Sequence, residues 1–522
     1  MSTMSLALSS KIRSSQATVH SWAAAHPTVI PLGIISVFAL ALRLFSISSR
    51  GLWADESFRV LAARQATLFD TLHAAWAQPP SAPLYWLALH VWINLFGHSD
   101  TVVRLLSVPA SVGTLAFAYN LGKMAGGKLT GLLAALLLAV APYAVETGQE
   151  ATMYAWSAFF ATGMIWAAFS WLKSGRGAWI YVAFATLLLY THYMGTLLLL
   201  ETAIVGAIWI ARTKSGGTTV HLSAWIKAQL LVVLLWLPWA VAMGVRLLER
   251  AEEFSHLKHP AGLAELYGAV ANMTLGASAA VTWPTQQLLF GLLAGGCLVV
   301  LALLLRRKHE QRIVIWSLTA IAAAFVLTVV GLSAMTGAWI VQPRFFSMLV
   351  PAMAVVMAAG LPVRRGVTPL VVVTVLLLGV WLLVQINGVR AFYENPVHGR
   401  DGVRETAAWL NTERRPEDIV VANQALLLWP LMQYYDGVMY GLPQDEDVWD
   451  GYGLWPPPEQ LDLAPSQWEA LQQRGAGAKR VWLVYLPVMD LKGTLMRLMN
   501  EHYNLVEKRV YGFAEVYLFA KK

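Results

Sequence analysis

Long apolar runs alternate with short polar connections along most of this chain. Those long enough to cross a bilayer are Val29–Ile47, Leu105–Leu121, Leu129–Val145, Ala151–Leu172, Trp179–Tyr193 and Gly195–Ile210. They continue with Ala228–Val245, Leu288–Leu305, Val314–Met335, Phe345–Leu361 and Leu370–Val389. At about 1.5 Å per residue and about 20 residues per crossing, the pattern predicts about eleven transmembrane helices. Leu84–Phe96 is shorter and follows a Pro-rich turn, Gln78 to Pro83. Its length predicts a helix lying at the membrane interface. After Val389 the pattern changes to helix Asp401–Asn411, strand Asp418–Ala422, helices Leu426–Tyr435 and Ser466–Gln473 and strand Arg480–Leu486. Helix Leu491–Tyr503 and strands Glu507–Tyr511 and Ala514–Phe519 follow. Alternating helices and strands over residues 390–522 predict a soluble C-terminal α/β domain. Trp449–Pro458, rich in Trp, Gly and Pro, reads as a loop covering the membrane part, with an aromatic sugar platform as the alternative.

Charge gives this pattern an orientation. Of 522 residues, 57% are hydrophobic and 13% charged, against about 25% charged in soluble domains. The net charge of +8 does not point to nucleic acid, because the cations sit in short loops between spans. These are Lys123 and Lys128; Lys173 and Arg176; Arg212, Lys214 and Lys227; Arg306, Arg307, Lys308 and Arg312; Arg364 and Arg365. With Leu84–Phe96 not spanning, all fall on the cytoplasmic side, as the positive-inside rule requires. That gives a cytoplasmic tail over 1–28, a transmembrane domain over 29–389 with its first outer loop at 48–104, and an extracytoplasmic domain over 390–522. Met1–His20 looks like the start of a signal sequence, but Val29–Ile47 exceeds a usual signal core and reads as a retained anchor. The lone cysteine, Cys297, allows no intramolecular disulfide and no metal site of its own. The C-terminal part has no Gly-rich nucleotide signature.

The unusual polar residues then collect at the outer ends of spans. Asp55 and Glu56 follow the first span, where paired carboxylates are costly unless functional; the plainer reading is a helix N-terminus that favours acids. Transfer of a group from a lipid phosphate to a hydroxyl needs a base and donors for the anionic leaving group. Asp55 and Glu56 are candidates for the base and for holding the substrate. Arg59, Arg104, His192 and Arg344 are candidates for phosphate, and Tyr85, Tyr154 and Tyr193 for substrate contact. Glu150 is a further binding candidate. Glu146 and Glu150 share a face if helical and form a weak candidate site for a divalent cation, against a solvated helix start. For His192 packing and hydrogen bonding is the commoner role, for Tyr85 an interfacial aromatic belt is the better reading, and Arg344 also suits snorkelling.

The ordered series carries a resemblance. Asp55-Glu56 follows the first span, and a Pro-rich turn leads into Pro83-Leu84-Tyr85-Trp86. Arg104-Leu105-Leu106-Ser107, Gln149-Glu150 to Met153-Tyr154, Thr191-His192-Tyr193 and Pro343-Arg344-Phe345 come next. This resembles the GT-C superfamily, in its protein O-mannosyltransferase and aminoarabinose transferase-like branch. The resemblance implies an inverting glycosyltransferase, moving a hexosyl or pentosyl group from a polyprenyl-phosphate donor to a glycan, lipid or protein acceptor outside the cytoplasmic membrane. It implies Asp55 as base, with Glu56 its neighbour in the site. Two family cations are missing here: Ser81-Ala82 precedes the Pro-Leu-Tyr turn, and Thr152 stands where the branch has Arg. A transporter or flippase of envelope lipids, or an envelope-assembly scaffold, are the other readings. Charges at span ends rather than at the midplane, and no internal repeat, favour the enzyme.

Overall fold

The computed structural model describes residues 27–77, 81–212, 218–249, 262–276, 309–338, 340–360, 369–394, 402–423, 425–441, 465–474, 477–487, 490, 492–511 and 514–522. The expected span Leu288–Leu305, the loop Trp449–Pro458 and the basic residues Lys214, Arg306, Arg307, Lys308, Arg364 and Arg365 lie outside them.

Helix α1 (Val29–Leu44) enters first and turns lipid-sized side chains outward, with Ile34 and Val37 about two-thirds exposed at 65% and 67%. Four short helices follow: α2 (Ala54–Ala63), α3 (Leu68–Ala77), α4 (Leu84–Phe96) and α5 (Asp100–Leu105). At 13 residues, α4 is about 20 Å long, short of the hydrocarbon thickness. Next come α6 (Val108–Gly126), α7 (Lys128–Ala139), α8 (Pro142–Gly148), α9 (Tyr154–Ser174), α10 (Ala178–Leu189), α11 (Gly195–Arg212) and α12 (Leu222–Glu249). After α13 (Leu263–Leu275) and α14 (His309–Thr336), a 3-10 helix, Pro343–Leu349, leads into α15 (Val350–Gly360), and α16 (Pro369–Glu394) follows. Leu, Ala, Phe and Trp of α6, α7, α9, α10, α11, α14 and α15 form one continuous core. The outer faces of α1, α11, α12 and α16 stay apolar and exposed, which suits lipid rather than water as the neighbour.

Among the described residues, six helices are long and apolar enough to cross a membrane, or seven if α7 and α8 form one broken span. The sequence predicts one span over Leu129–Val145; the structure bends it by 62° between α7 and α8. Pro142 starts α8, and the residue before a proline is pushed out of helical conformation. The carbonyls freed at the break are answered by Arg43, fully buried in the last turn of α1. Its guanidinium reaches the Ala139 carbonyl at 2.7 Å and the Leu138 carbonyl at 3.5 Å. On the other side of the break, α6 crosses α7 at close range. A Cβ on Gly122 would lie 2.9 Å from the Gly131 Cα, so only glycine fits.

Beyond α16, helix α17 (Val403–Glu413) leads to strand β1 (Ile419–Ala422), helix α18 (Ala425–Leu431) and strand β2 (Tyr440–Gly441). Then come α19 (Pro465–Arg474), β3 (Arg480–Tyr485), α20 (Thr494–His502), β4 (Tyr503–Tyr511) and β5 (Ala514–Lys521). The strands form one sheet in the order β2-β1-β3-β5-β4. β1 runs parallel to β2 and β3, while β5 is antiparallel to β3 and β4. The short strand β2 carries no alternation a reader could follow. The last hairpin begins at Tyr503, four residues before the expected Glu507, because a bulge between Leu505 and Glu507 interrupts its period of two.

Candidate active site

The site is built on the start of α2. The Trp53 N–H donates to Glu56 Oε2 at 3.2 Å, a reach-back from the third helical residue that fixes where α2 begins. Glu56 is fully buried and gripped by Arg104 of α5: Nε donates to Oε1 at 2.9 Å and Nη2 to Oε2 at 2.8 Å. The Ala151 N–H adds a further bond to Oε1 at 2.9 Å. Arg104 spends its other N–H groups on the carbonyls of Ile47, Arg50 and Gly51, at 2.8, 2.9 and 2.8 Å. Two-point Arg–carboxylate bonding is strong and directional. Glu56 and Arg104 therefore act as a clamp on the backbone leading to the site, with their polar atoms turned to the protein.

Asp55, one residue earlier, points elsewhere. Arg344 Nη1 of the 3-10 helix donates to its Oδ2 at 2.8 Å, and Arg59 Nη1, one turn along α2, lies 3.7 Å from the same oxygen. Arg59 also donates to the Asp55 carbonyl at 2.6 Å. Among the described residues, no donor meets Asp55 Oδ1. Asp55 is 6% exposed, so it is nearly, but not wholly, closed off from solvent.

His192 lies in the turn between α10 and α11 and is buried. Its ring stacks on Tyr193 at 4.8 Å between centroids and meets Phe345 at 5.7 Å and Tyr154 at 5.9 Å. The Met194 N–H donates to Nδ1 at 3.1 Å. That assigns the ring proton to Nε2, which is buried without a partner among the described residues. A ring buried this deeply and near two guanidiniums is neutral, since a charge there would be neither solvated nor paired. Arg59 Nε, Arg344 Nε and Ser347 Oγ are likewise buried and unbonded among the described residues. Two guanidiniums beside the Asp55 carboxylate, and a buried imidazole in the field of both, thus keep donors unspent.

The remaining candidates divide. Tyr85 is a packing residue here: its hydroxyl pairs with Ser107 Oγ at 3.1 Å, and its ring meets Trp156 edge-on at 5.7 Å. Tyr154 and Tyr193 line the His192 pocket. Glu146 and Glu150 are buried, at 3% and 4% exposure, so neither is a solvated helix start. Glu150 Oε2 accepts from Thr152 Oγ1 at 3.2 Å, so Thr152 partners the acid. Among the described residues, no group of three or more acidic, His or Cys side chains is placed to hold a metal ion. Two further residues bond the backbone around the site and are given no role of their own in the sequence reading. Gln149 donates to the carbonyls of Leu42, Arg43 and Phe45 at 3.1, 3.0 and 2.8 Å. Arg43 was signalled by being a charge inside an apolar run.

The profile of the dolichyl-phosphate-mannose-protein mannosyltransferase family matches residues 78–241, which contain Tyr85, Arg104, Glu150, Tyr154, His192 and Tyr193 but not Asp55, Glu56, Arg59 or Arg344. No curated protein sequence matches. The fold is similar to that of ArnT from Cupriavidus metallidurans in the apo state, at a TM-score of 0.59 and 12% identity, covering 95% of this chain and 98% of that one. The same protein bound to undecaprenyl phosphate aligns at 0.59 and 11%, covering 93% and 97%. The archaeal oligosaccharyltransferase AglB from Archaeoglobus fulgidus, in complex with an inhibitory peptide and a dolichol-phosphate, aligns at 0.54 and 13%, covering 96% and 75%.

Proposed function

Starting from a membrane protein with the fold of the GT-C glycosyltransferases, we propose that this chain is an inverting glycosyltransferase. It moves a sugar from a polyprenyl-phosphate donor to an acceptor hydroxyl at the outer face of the cytoplasmic membrane. The observation that carries the reading is the pairing of Asp55 with Arg59 and Arg344, which keep unspent donors along with the nearby His192. A carboxylate with an open oxygen is a base; buried N–H groups with nothing to bond are an anion site. The undecaprenyl phosphate bound to ArnT and the dolichol-phosphate bound to AglB support a lipid phosphate as the anion.

In this reaction the acceptor hydroxyl gives its proton to Asp55 as its oxygen bonds the anomeric carbon. The bond from that carbon to the phosphate oxygen breaks on the opposite face, and the electron pair leaves with the lipid phosphate. Arg59, Arg344 and the His192 Nε2–H hold the developing charge, in place of the family cations that Ser81, Ala82 and Thr152 do not supply. Glu56 and Arg104 keep the start of α2 in register. The proposed topology has the N-terminus inside, about eleven spans over 29–389 and an extracytoplasmic domain over 390–522.

Purified protein offered a panel of polyprenyl-phosphate sugars tests this directly. Asp55→Asn keeps the size of the side chain and removes the base, so transfer falls by about 10²–10⁴-fold while donor binding and expression persist. Near-normal turnover by that variant, on a donor the native protein uses, overturns the assignment and makes Glu150 the next base to test.

A further inference from the structure

The backbone between α1 and α2 is held by two arginines from distant parts of the chain. Arg104 of α5 takes the carbonyls of Ile47, Arg50 and Gly51. Arg404 of α17 takes the Ser48 carbonyl at 2.8 Å through Nη1 and the Arg50 carbonyl at 2.9 Å through Nη2. Arg404 also bonds Asp100, through Nε at 3.1 Å and through Nη2. Tyr434, just beyond α18, donates its hydroxyl to the same Asp100 oxygen at 2.7 Å and accepts the Leu52 N–H at 2.7 Å. Gln433 donates to the Ser57 carbonyl at 3.1 Å, and the Trp429 ring lies 4.6 Å from Phe58 of α2. Asp100 and Arg104 are one turn apart on α5, so this helix joins the Arg404–Tyr434 grip to the Glu56 clamp.

We infer that Tyr434 and Arg404, tied to each other by Asp100, are positioning residues that latch the Ser48–Leu52 segment and so set where α2 presents Asp55. The C-terminal part is then a component of the site, not an appendage. This rests on reading Asp55 as the base. The Leu52 amide is two residues ahead of the first residue of α2, so losing its acceptor frees the segment that leads into the helix. Burial and the Asp100 charge raise the Tyr434 phenol above its ordinary value, which keeps the hydroxyl a donor. Misplacing a reacting group by about 1 Å can cost about 10²-fold in rate.

The test compares full-length protein with Tyr434→Phe, which deletes one oxygen and leaves the ring. Hydrogen exchange followed by mass spectrometry should show segment 47–57 exchanging about tenfold faster, the order for losing the neutral bond that Tyr434 accepts from the Leu52 N–H. Strands β1, β3 and β5 should be unchanged. With an active donor, kcat should fall about tenfold with donor KM unaltered. Adding Asp100→Asn should cost little more than Tyr434→Phe alone, since both break one latch. Unchanged exchange at 47–57 overturns the latch whatever the activity. Faster exchange spread equally over β1, β3 and β5 reduces Tyr434 to a general stabilising role and also overturns it. A loosened 47–57 with unaltered kcat overturns the positioning role. A native protein that transfers no sugar at all overturns the Asp55 reading, and the exchange data keep that failure separate.

Discussion

His192 shows how burial and one backbone bond prepare a side chain for work. The Met194 N–H occupies Nδ1, so the proton sits on Nε2, and burial near two guanidiniums keeps the ring neutral. If Nε2–H is what the lipid phosphate meets, the glutamine amide, which puts an N–H near that position, should serve in its place. His192→Gln is expected to keep most donor affinity and His192→Ala to lose about tenfold, the order for one charge-assisted bond. Neither the native protein nor His192→Gln should show a titration of donor affinity between about pH 5 and 8 through this residue. Binding isotherms across that range check it, and equal losses in the two variants would count against the tautomer argument. Asp55, Arg59, His192 and Arg344 are legible in the sequence as polar residues at span ends. Their meeting is not, because 289 positions separate Asp55 from Arg344 and no local pattern encodes which loops converge. The division of labour between Asp55 and Glu56 is also invisible there. It depends on Arg104, 48 positions away, choosing one carboxylate and leaving the other.

At the scale of elements, α5 carries more than its six residues suggest. Its Arg104 is buried against a fully buried Glu56, and removing one partner strands the other's charge. Arg104→Ala should destabilise the fold by about 3–5 kcal/mol, read as a lower midpoint of thermal unfolding in detergent. Arg104→Lys keeps the charge but cannot make the fork or reach three carbonyls, so it should restore only part of that loss. A fully restored midpoint would mean that charge alone holds α2. Hydrophobic periodicity makes the existence of the long helices legible, since a span must satisfy its own backbone in lipid. It does not reveal the bend between α7 and α8, because Val140 and Ala141 are as apolar as their neighbours. The local signs were Pro142 and the unexplained charge of Arg43, which supplies the donors that the broken helix lacks.

For the molecule as a whole, basic loops and a late change of pattern separate a helical part from a C-terminal sheet, and both are readable before any contact is known. How the two are joined is not, since Arg404, Tyr434 and Asp100 look like ordinary surface residues in the sequence. The proposed orientation predicts that a reporter fused after Lys522 works only outside the cytoplasm; activity restricted to the cytoplasm would invert the topology and move the site to the other face. Acid should act first on the sheet. Asp418, at the entrance to β1, is buried; burial alone would raise its pKa, but the donors around it prevail and hold it below the usual carboxylate value. Arg480 reaches Oδ1 at 3.0 Å and Oδ2 at 2.5 Å, and the Arg415 N–H and Trp482 indole reach Oδ2, each at 2.9 Å. A carboxyl with a lowered folded pKa contributes stability that is complete above its unfolded value, about 3.9, and is lost as pH falls through the folded value. The sheet should therefore melt at a lower temperature at about pH 3 than at about pH 6, and Asp418→Asn should flatten that difference while lowering the melting point at neutral pH. Because the latch ties α17 and α18 to the start of α2, sugar transfer should decline along with the sheet while the apolar helical core stays folded. Thermal melts followed by circular dichroism in the two buffers decide it: an equal pH difference in both proteins would place the acid-sensitive group elsewhere.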